Sequence, residues 1–185
     1  MHDLQPTTAL GASKPAHDVF PDITISENPD VALASVALRA HSADAHAALA
    51  RWLAAPLPGP GTFATNGTRS ALWTGADQWL IQTSLQKEEL VADDLKALLG
   101  AQASVTEQSG AWACFDIRGP GRIALLERLT PLPIRRMQPC DGNRTRIEQL
   151  GCFVLCHKDA FSVLGPRASA PSLHHALITA AGAIS

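Results

Sequence analysis

The apolar positions of this chain switch repeatedly between a period of two and a period of three to four. Over 111–118, Ala113, Phe115 and Ile117 fall on one face and Trp112, Cys114 and Asp116 on the other. That alternation predicts a half-buried strand. Gly119-Pro120-Gly121 interrupts it, and beyond the break Ile123, Leu126 and Leu129 recur at helical spacing with Leu125 alongside. Arg122, Glu127 and Arg128 take the opposite face, so the stretch 121–129 reads as an amphipathic helix. The chain is organised around this strand–corner–helix unit, with Phe115 and Ile117 expected beneath Ile123, Leu126 and Leu129.

The remaining pattern supplies further elements on the same reasoning. Residues 20–25 alternate apolar and polar and predict an edge strand, and 31–40 is an apolar run of strand length. Ser42 predicts a helix N-cap, followed by a stripe of Ala45, Leu49 and Trp52 over 43–54. Asn66-Gly67 is a turn signal, and 71–81 reads as two short strands around Gly75 with a tryptophan on each side. Ser84 is placed as the cap of a second helix, with Glu88 and Glu89 near its positive end, Val91, Leu95 and Leu98 as its stripe and Gly100 as its stop. A strand over 103–108 precedes the organising unit. After it come two strands over 144–157 broken at Gly151, a strand over 161–164, and a helix opening at Pro171 with Leu173, Ala176, Leu177 and Ala180 inward. The passages 31–99 and 103–181 share a strand–helix–hairpin–helix pattern without a residue-level repeat. Together these predict an α+β fold: a mixed or antiparallel sheet with helices packed on it, in two related halves. Residues 1–18 are polar and small and read as a flexible tail, which leaves 19–185 as a single domain.

Composition narrows the function classes. Hydrophobic residues make up 46% and charged residues 17%, with a formal net charge of -2. Acids and bases are interspersed, so there is no phosphate-tracking surface and nucleic acid is not expected as a partner. No apolar run approaches the ~20 residues of a bilayer span, so no membrane partner is expected. The first 18 residues lack an apolar signal region, and the expected location is cytoplasmic. Cys114, Cys140, Cys152 and Cys156 are then expected as reduced thiols.

Candidate chemistry is sparse. Gly119-Pro120-Gly121 opens a helix, where backbone N–H groups can meet an anion. Proline removes one donor, however, and neither phosphate-loop pattern is present, so a structural corner is the stronger reading. Cys152, Cys156 and His157 lack the spacing of a zinc site, and on a strand Cys152, Val154 and Cys156 share one buried face. His174 and His175 point apart on a helix. Asp116, Asp141, Glu148 and Asp159 are candidate acids or bases without a signature around them. Trp73 and Trp79 can stack on a flat ligand or pack across strands, and packing is favoured. Arg135 and Arg136 read as a solvated loop. No catalytic, cofactor-binding or metal-binding residue is assigned, and Phe20, Ile23 and Ile25, on the edge-strand pattern, are the candidate partner contact.

The series Trp73-Thr74-Gly75-Ala76-Asp77-Gln78-Trp79-Leu80-Ile81 resembles the signature of the gamma subunit of heterotetrameric sarcosine oxidase. The likeness runs from about Ile23 to Ala181, through the unit at Phe115 to Leu129 and the loop Leu129-Thr130-Pro131-Leu132-Pro133-Ile134. Ala76 stands where that family usually has proline, so the chain resembles a divergent member of it, or a neighbouring member of the wider folate-binding aminomethyltransferase-like group. The resemblance implies a non-catalytic subunit supporting a flavoenzyme that oxidatively demethylates sarcosine to glycine with tetrahydrofolate and oxygen. It implies alpha, beta and delta subunits as partners, with FAD, FMN, NAD, tetrahydrofolate and zinc on those partners and none on this chain. The alternative is a stand-alone folate-binding aminomethyltransferase-like protein, with Trp73 or Trp79 against the pterin.

Overall fold

The computed structural model describes residues 7–39 and 42–184. In chain order the elements are β1 His17–Phe20, β2 Ile23–Glu27, β3 Ala32–Leu38, α1 Ala43–Leu53, β4 Phe63–Thr65, β5 Ser70–Gly75, β6 Gln78–Thr83, α2 Val91–Leu99, β7 Ala103–Glu107, β8 Trp112–Arg118, α3 Arg122–Leu129, β9 Gly142–Ile147, β10 Leu150–Cys156, β11 Ala160–Pro166 and α4 Ala170–Gly182. The chain contacts divide into two compact units. One takes 30–110 and 140–143; the other takes the residues up to 29, then 111–139 and 144 onward. The fold is α+β, with a sheet carrying two helices in each unit.

In the unit built on 30–110 the sheet order is β4-β5-β6-β3-β7, with antiparallel neighbours throughout. Ala45, Leu49 and Leu53 of α1 and Val91, Leu95 and Leu99 of α2 pack on Ala34, Val36, Ala71 and Ile81. Ser42 caps α1 as its sequence position predicts: the Ala45 N–H donates to the Ser42 hydroxyl at 3.2 Å, a contact worth about 1 kcal/mol. Ser84 does not cap α2. Its hydroxyl donates to the Asp30 carboxylate at 2.8 Å, which also accepts the Gln86 N–H. With Ser84 held in that turn, α2 begins only at Val91 and takes Asp93 and Asp94 into its first turn. Glu88 turns away to a bidentate pair with Arg69, whose guanidinium also lies 4.1 Å over the Trp52 ring and donates to the Trp52 carbonyl.

In the other unit the sheet order is β1-β2-β8-β11-β10-β9. Ile23, Ile25, Ala113, Phe115 and Ile117 line one face and receive Leu125 and Leu126 of α3 with Leu173 and Leu177 of α4. Leu125 and Leu126 are the wholly buried pair of α3, while Ile123 and Leu129 flank them half-exposed. The β9–β10 break falls at Glu148, which takes a left-handed φ of 52°, and Gly151 continues β10. Pro171 occupies the second position of α4 because Ala170 already opens it.

Of the stretch read as a tail, residues 1–6 lie outside the described residues, and His17 and Asp18 already belong to β1. Between them, the buried Glu27 carboxylate accepts the N–H groups of Leu10 and Ala16 at 3.1 Å. A buried carboxylate is retained only where such donors satisfy it, so Glu27 clasps this segment.

The two units repeat one another's order. Strand β3, helix α1, strands β4, β5 and β6, then α2 and β7 give the sheet β4-β5-β6-β3-β7. Strand β8, helix α3, strands β9, β10 and β11, then α4 give β9-β10-β11-β8, and here β2 fills the place that β7 holds. The second copy is therefore completed by a strand from the start of the chain.

Candidate functional site

The edge-strand reading of Ile23 and Ile25 is corrected by the structure, whereas Phe20 closes β1, which is the edge strand of its sheet. Strand β2 is interior, paired with β1 on one side and β8 on the other. Ile23 and Ile25 are 2% and 0% exposed, sealed beneath the helices, so neither can present a contact surface. Phe20 is half-buried against the same core. The exposed apolar side chain of the edge is Val19, at 70%.

Trp73 and Trp79 stand directly opposite one another in the β5–β6 hairpin. Trp79 is 4% exposed. Its Nε1–H donates to the Pro58 carbonyl at 3.0 Å, and the His46 ring meets it edge-on at 5.8 Å. Trp73 is half-buried against the same cluster. Asp77 supplies the turn with a φ of 55°, and its carbonyl accepts the Leu38 N–H. The motif is thus a packed hairpin, and Trp79 offers no face to a ligand.

The Gly-Pro-Gly corner is likewise spent on packing. The Gly121 N–H donates to the Asp22 carbonyl at 3.0 Å. A Cβ on Gly119, whose φ is 100°, would lie 2.3 Å from that same oxygen, and one on Gly121 would meet the Ile23 side chain at 2.7 Å. Glycine is needed there for the close approach of the β1–β2 turn.

Cys152, Val154 and Cys156 share the buried face predicted for them, and burial pushes the Cys152 thiol up to about 11. Cys114 is raised further, by burial and by the neighbouring Asp116 charge. His174 and His175 do diverge: His174 pairs with Asp18 and His175 is exposed. Glu148 and Asp159 are exposed in separate turns, and Asp141 lies just before β9, in an isolated bridge with Thr62. Arg135 forms a forked pair with Glu127, with bonds of 2.7 and 2.9 Å. Arg136 is exposed.

Asp116, one of the candidate acids, enters a polar chain. The Ser162 hydroxyl donates to Asp116 Oδ1 at 2.6 Å, His157 Nε2 lies 3.0 Å from the Ser162 oxygen, and Asn28 donates to Asp116 Oδ2 at 3.2 Å. Because the single hydroxyl hydrogen points at the carboxylate, His157 Nε2–H is the donor to Ser162. Burial lowers the His157 pKa, Arg118 adds to that, and Asp116 opposes it. Serine sits between acid and imidazole, whereas a serine nucleophile needs the imidazole in the middle. The chain links the ends of β8, β10 and β11. Among the described residues, no group of three or more His, Cys, Asp or Glu side chains is placed to hold a metal ion.

A feature the sequence reading missed lies between α3 and α4. A largely apolar groove of about 790 Å³ runs along Leu129, Ala176 and Ala180, bordered by Arg128, His175 and Glu148. Its sequence signal was the run of small residues on α4, which reads equally well as core.

No protein-family model matches the chain, and no curated protein sequence matches it. Its fold is similar to a chain of the heterotetrameric sarcosine oxidase from Corynebacterium sp. U-96, with a TM-score of 0.80, 21% identity, and coverage of 88% of this chain and 85% of that one. It is also similar to the glycine cleavage system aminomethyltransferase T from Bartonella henselae, with a TM-score of 0.62 and 15% identity, covering 82% of this chain and 44% of that one. The resemblance read from the sequence is borne out at the level of the fold. No helix among the described residues is long and apolar enough to cross a membrane.

Proposed function

We propose that this chain is the gamma-type, non-catalytic subunit of a sarcosine oxidase-like heterotetramer and supports assembly of its flavoenzyme core. The observation that carries the reading is the end-to-end correspondence with one chain of such an oxidase, 88% of this chain against 85% of that one. The aminomethyltransferase match spans less than half of the other protein. In this reading alpha, beta and delta subunits are the partners, and FAD, FMN, NAD, tetrahydrofolate and zinc belong to them. Burial of Trp79 behind its bond to Pro58 supports a structural role for the tryptophan motif.

Co-expression with the alpha, beta and delta subunits encoded by the same host tests the reading. The chain should co-elute with them in a stoichiometric complex, and its omission should lower the yield of sarcosine-dependent peroxide formation. A chain that stays alone in their presence overturns it. The alternative, a stand-alone folate binder, predicts quenching of tryptophan fluorescence by tetrahydrofolate in the isolated chain; the subunit reading predicts none.

A further inference from the structure

We infer that the α3–α4 groove is the docking surface of this chain, and that it takes an apolar segment of a partner subunit carrying a carboxylate. The inference rests on the subunit reading and names the face it uses.

Three observations carry it. The groove floor is apolar and made of small or half-buried side chains, Leu129, Ala176 and Ala180, so a partner backbone can approach closely. A second recess of about 320 Å³ adjoins it, sharing Arg128, Leu129 and Glu148 and adding Arg146. Arg128 and Arg146 are both exposed. Neither has an ion pair among the described residues, in contrast to Arg69 and Arg135, which are tied to Glu88 and Glu127. Two guanidiniums and one carboxylate, Glu148, none with an ion pair among the described residues, border the apolar floor and leave the rim with an excess of positive charge.

Arginine beside an apolar floor is the composition of interface anchor points. The guanidinium fork donates to a carboxylate in two-point geometry, and displacing water from the floor strengthens that pair. The occupant is therefore an apolar stretch with an Asp or Glu placed to reach Arg128 and Arg146. Polymer backbones with phosphate do not fit, because the floor is apolar.

The test uses the full chain titrated against an immobilised alpha–beta–delta subcomplex. The R128E/R146E double variant changes only exposed side chains, and T179W fills the groove from an exposed position on α4. Each should raise the apparent Kd by about tenfold or more. R51E, an exposed charge reversal on α1, should bind as the wild type does. Binding should also weaken between about 0.05 and about 0.5 M salt as the pair is screened. Circular dichroism melts establish that each variant is folded. Wild-type affinity in both groove variants overturns the docking assignment while leaving the subunit reading intact. A wild-type chain that does not bind overturns the subunit reading and this inference with it. Self-association lost in the same variants makes a second copy of the chain the occupant and overturns the partner assignment.

Discussion

His174 Nε2 lies 2.7 Å from Asp18 Oδ2, tying the middle of α4 to the edge strand β1. The His174 ring also lies nearly parallel to Phe115, with centroids 5.7 Å apart and an interplanar angle of 19°. One side chain thus joins the edge of the sheet to its centre. Both partners are half-buried, so Asp18→Ala should cost roughly 0.5–1 kcal/mol. Urea denaturation measures that loss, and amide hydrogen exchange should be faster across His17–Phe20 while the core strand β8 keeps its protection.

The Trp79 side chain is sealed and its Nε1–H is bonded to Pro58. Trp79→Phe keeps an aromatic ring, though a smaller one, and leaves that carbonyl unpaired, for a loss of about 1–3 kcal/mol. Trp79→Ala also leaves a cavity and should cost about 3–5 kcal/mol. A ligand-stacking role would leave stability nearly unchanged in both, so thermal melts of the two variants separate structure from binding.

Gly119→Ala should be among the most damaging single substitutions. Its φ is 100° and the new Cβ would lie 2.3 Å from the Asp22 carbonyl oxygen. Left-handed strain and the clash together should exceed about 2 kcal/mol. Gly110→Ala is the control: nothing lies within 4 Å of its Cβ position, and the change should stay within about 0.5 kcal/mol. Equilibrium unfolding of the two variants checks the contrast.

The four cysteines should react in two classes. Cys140 is exposed, whereas Cys114, Cys152 and Cys156 are buried. Burial raises the pKa of Cys114 and Cys152, which keeps them as thiols near neutral pH. An aromatic disulfide reagent should therefore titrate one thiol in the native chain and all four after denaturation. Rapid modification of Cys152 in the folded protein would contradict the packing of β10.

His157 makes stability depend on pH. Its folded pKa lies below the ordinary 6.5, because burial disfavours the imidazolium and Arg118 reinforces this against the pull of Asp116. As pH falls, the unfolded chain takes up the proton first, so stability rises with pH in this window. The contribution is fully present above about 6.5 and is lost as pH drops through the folded value. His157→Gln should flatten the change in urea midpoint between about pH 7.5 and about pH 5.5. An unchanged slope would show that the polar chain to Ser162 and Asp116 does not control it.

Local features were legible because their causes are local. Ser42 caps α1 and Gly100 ends α2, each through bonds within one turn. The Trp73–Trp79 hairpin follows from short-range geometry in the same way, whereas the Gly119 corner showed its break locally but owes its glycines to the remote Asp22–Ile23 turn. Ser84 failed as a cap because Asp30, remote in sequence, claimed its hydroxyl. The helix signal there was sound, but a tertiary hydrogen bond moved its start to Val91.

The sequence by itself determined the period of each element, the α+β class, the strand–corner–helix unit and the likeness to a sarcosine oxidase chain. Only the tertiary structure decided that β2 lies between β1 and β8 and completes the second copy of the repeat. Alternation in 20–25 says that one face is apolar. It cannot say whether the strand edges are paired, because the partner residues lie far away in the chain and leave no local mark. That is why Ile23 and Ile25 looked like contacts and proved to be core. The same limit applied to α4 in reverse. Ala176 and Ala180 read as ordinary inner-face positions, and only the packing of α3 beside α4 shows that they floor a groove open to a partner.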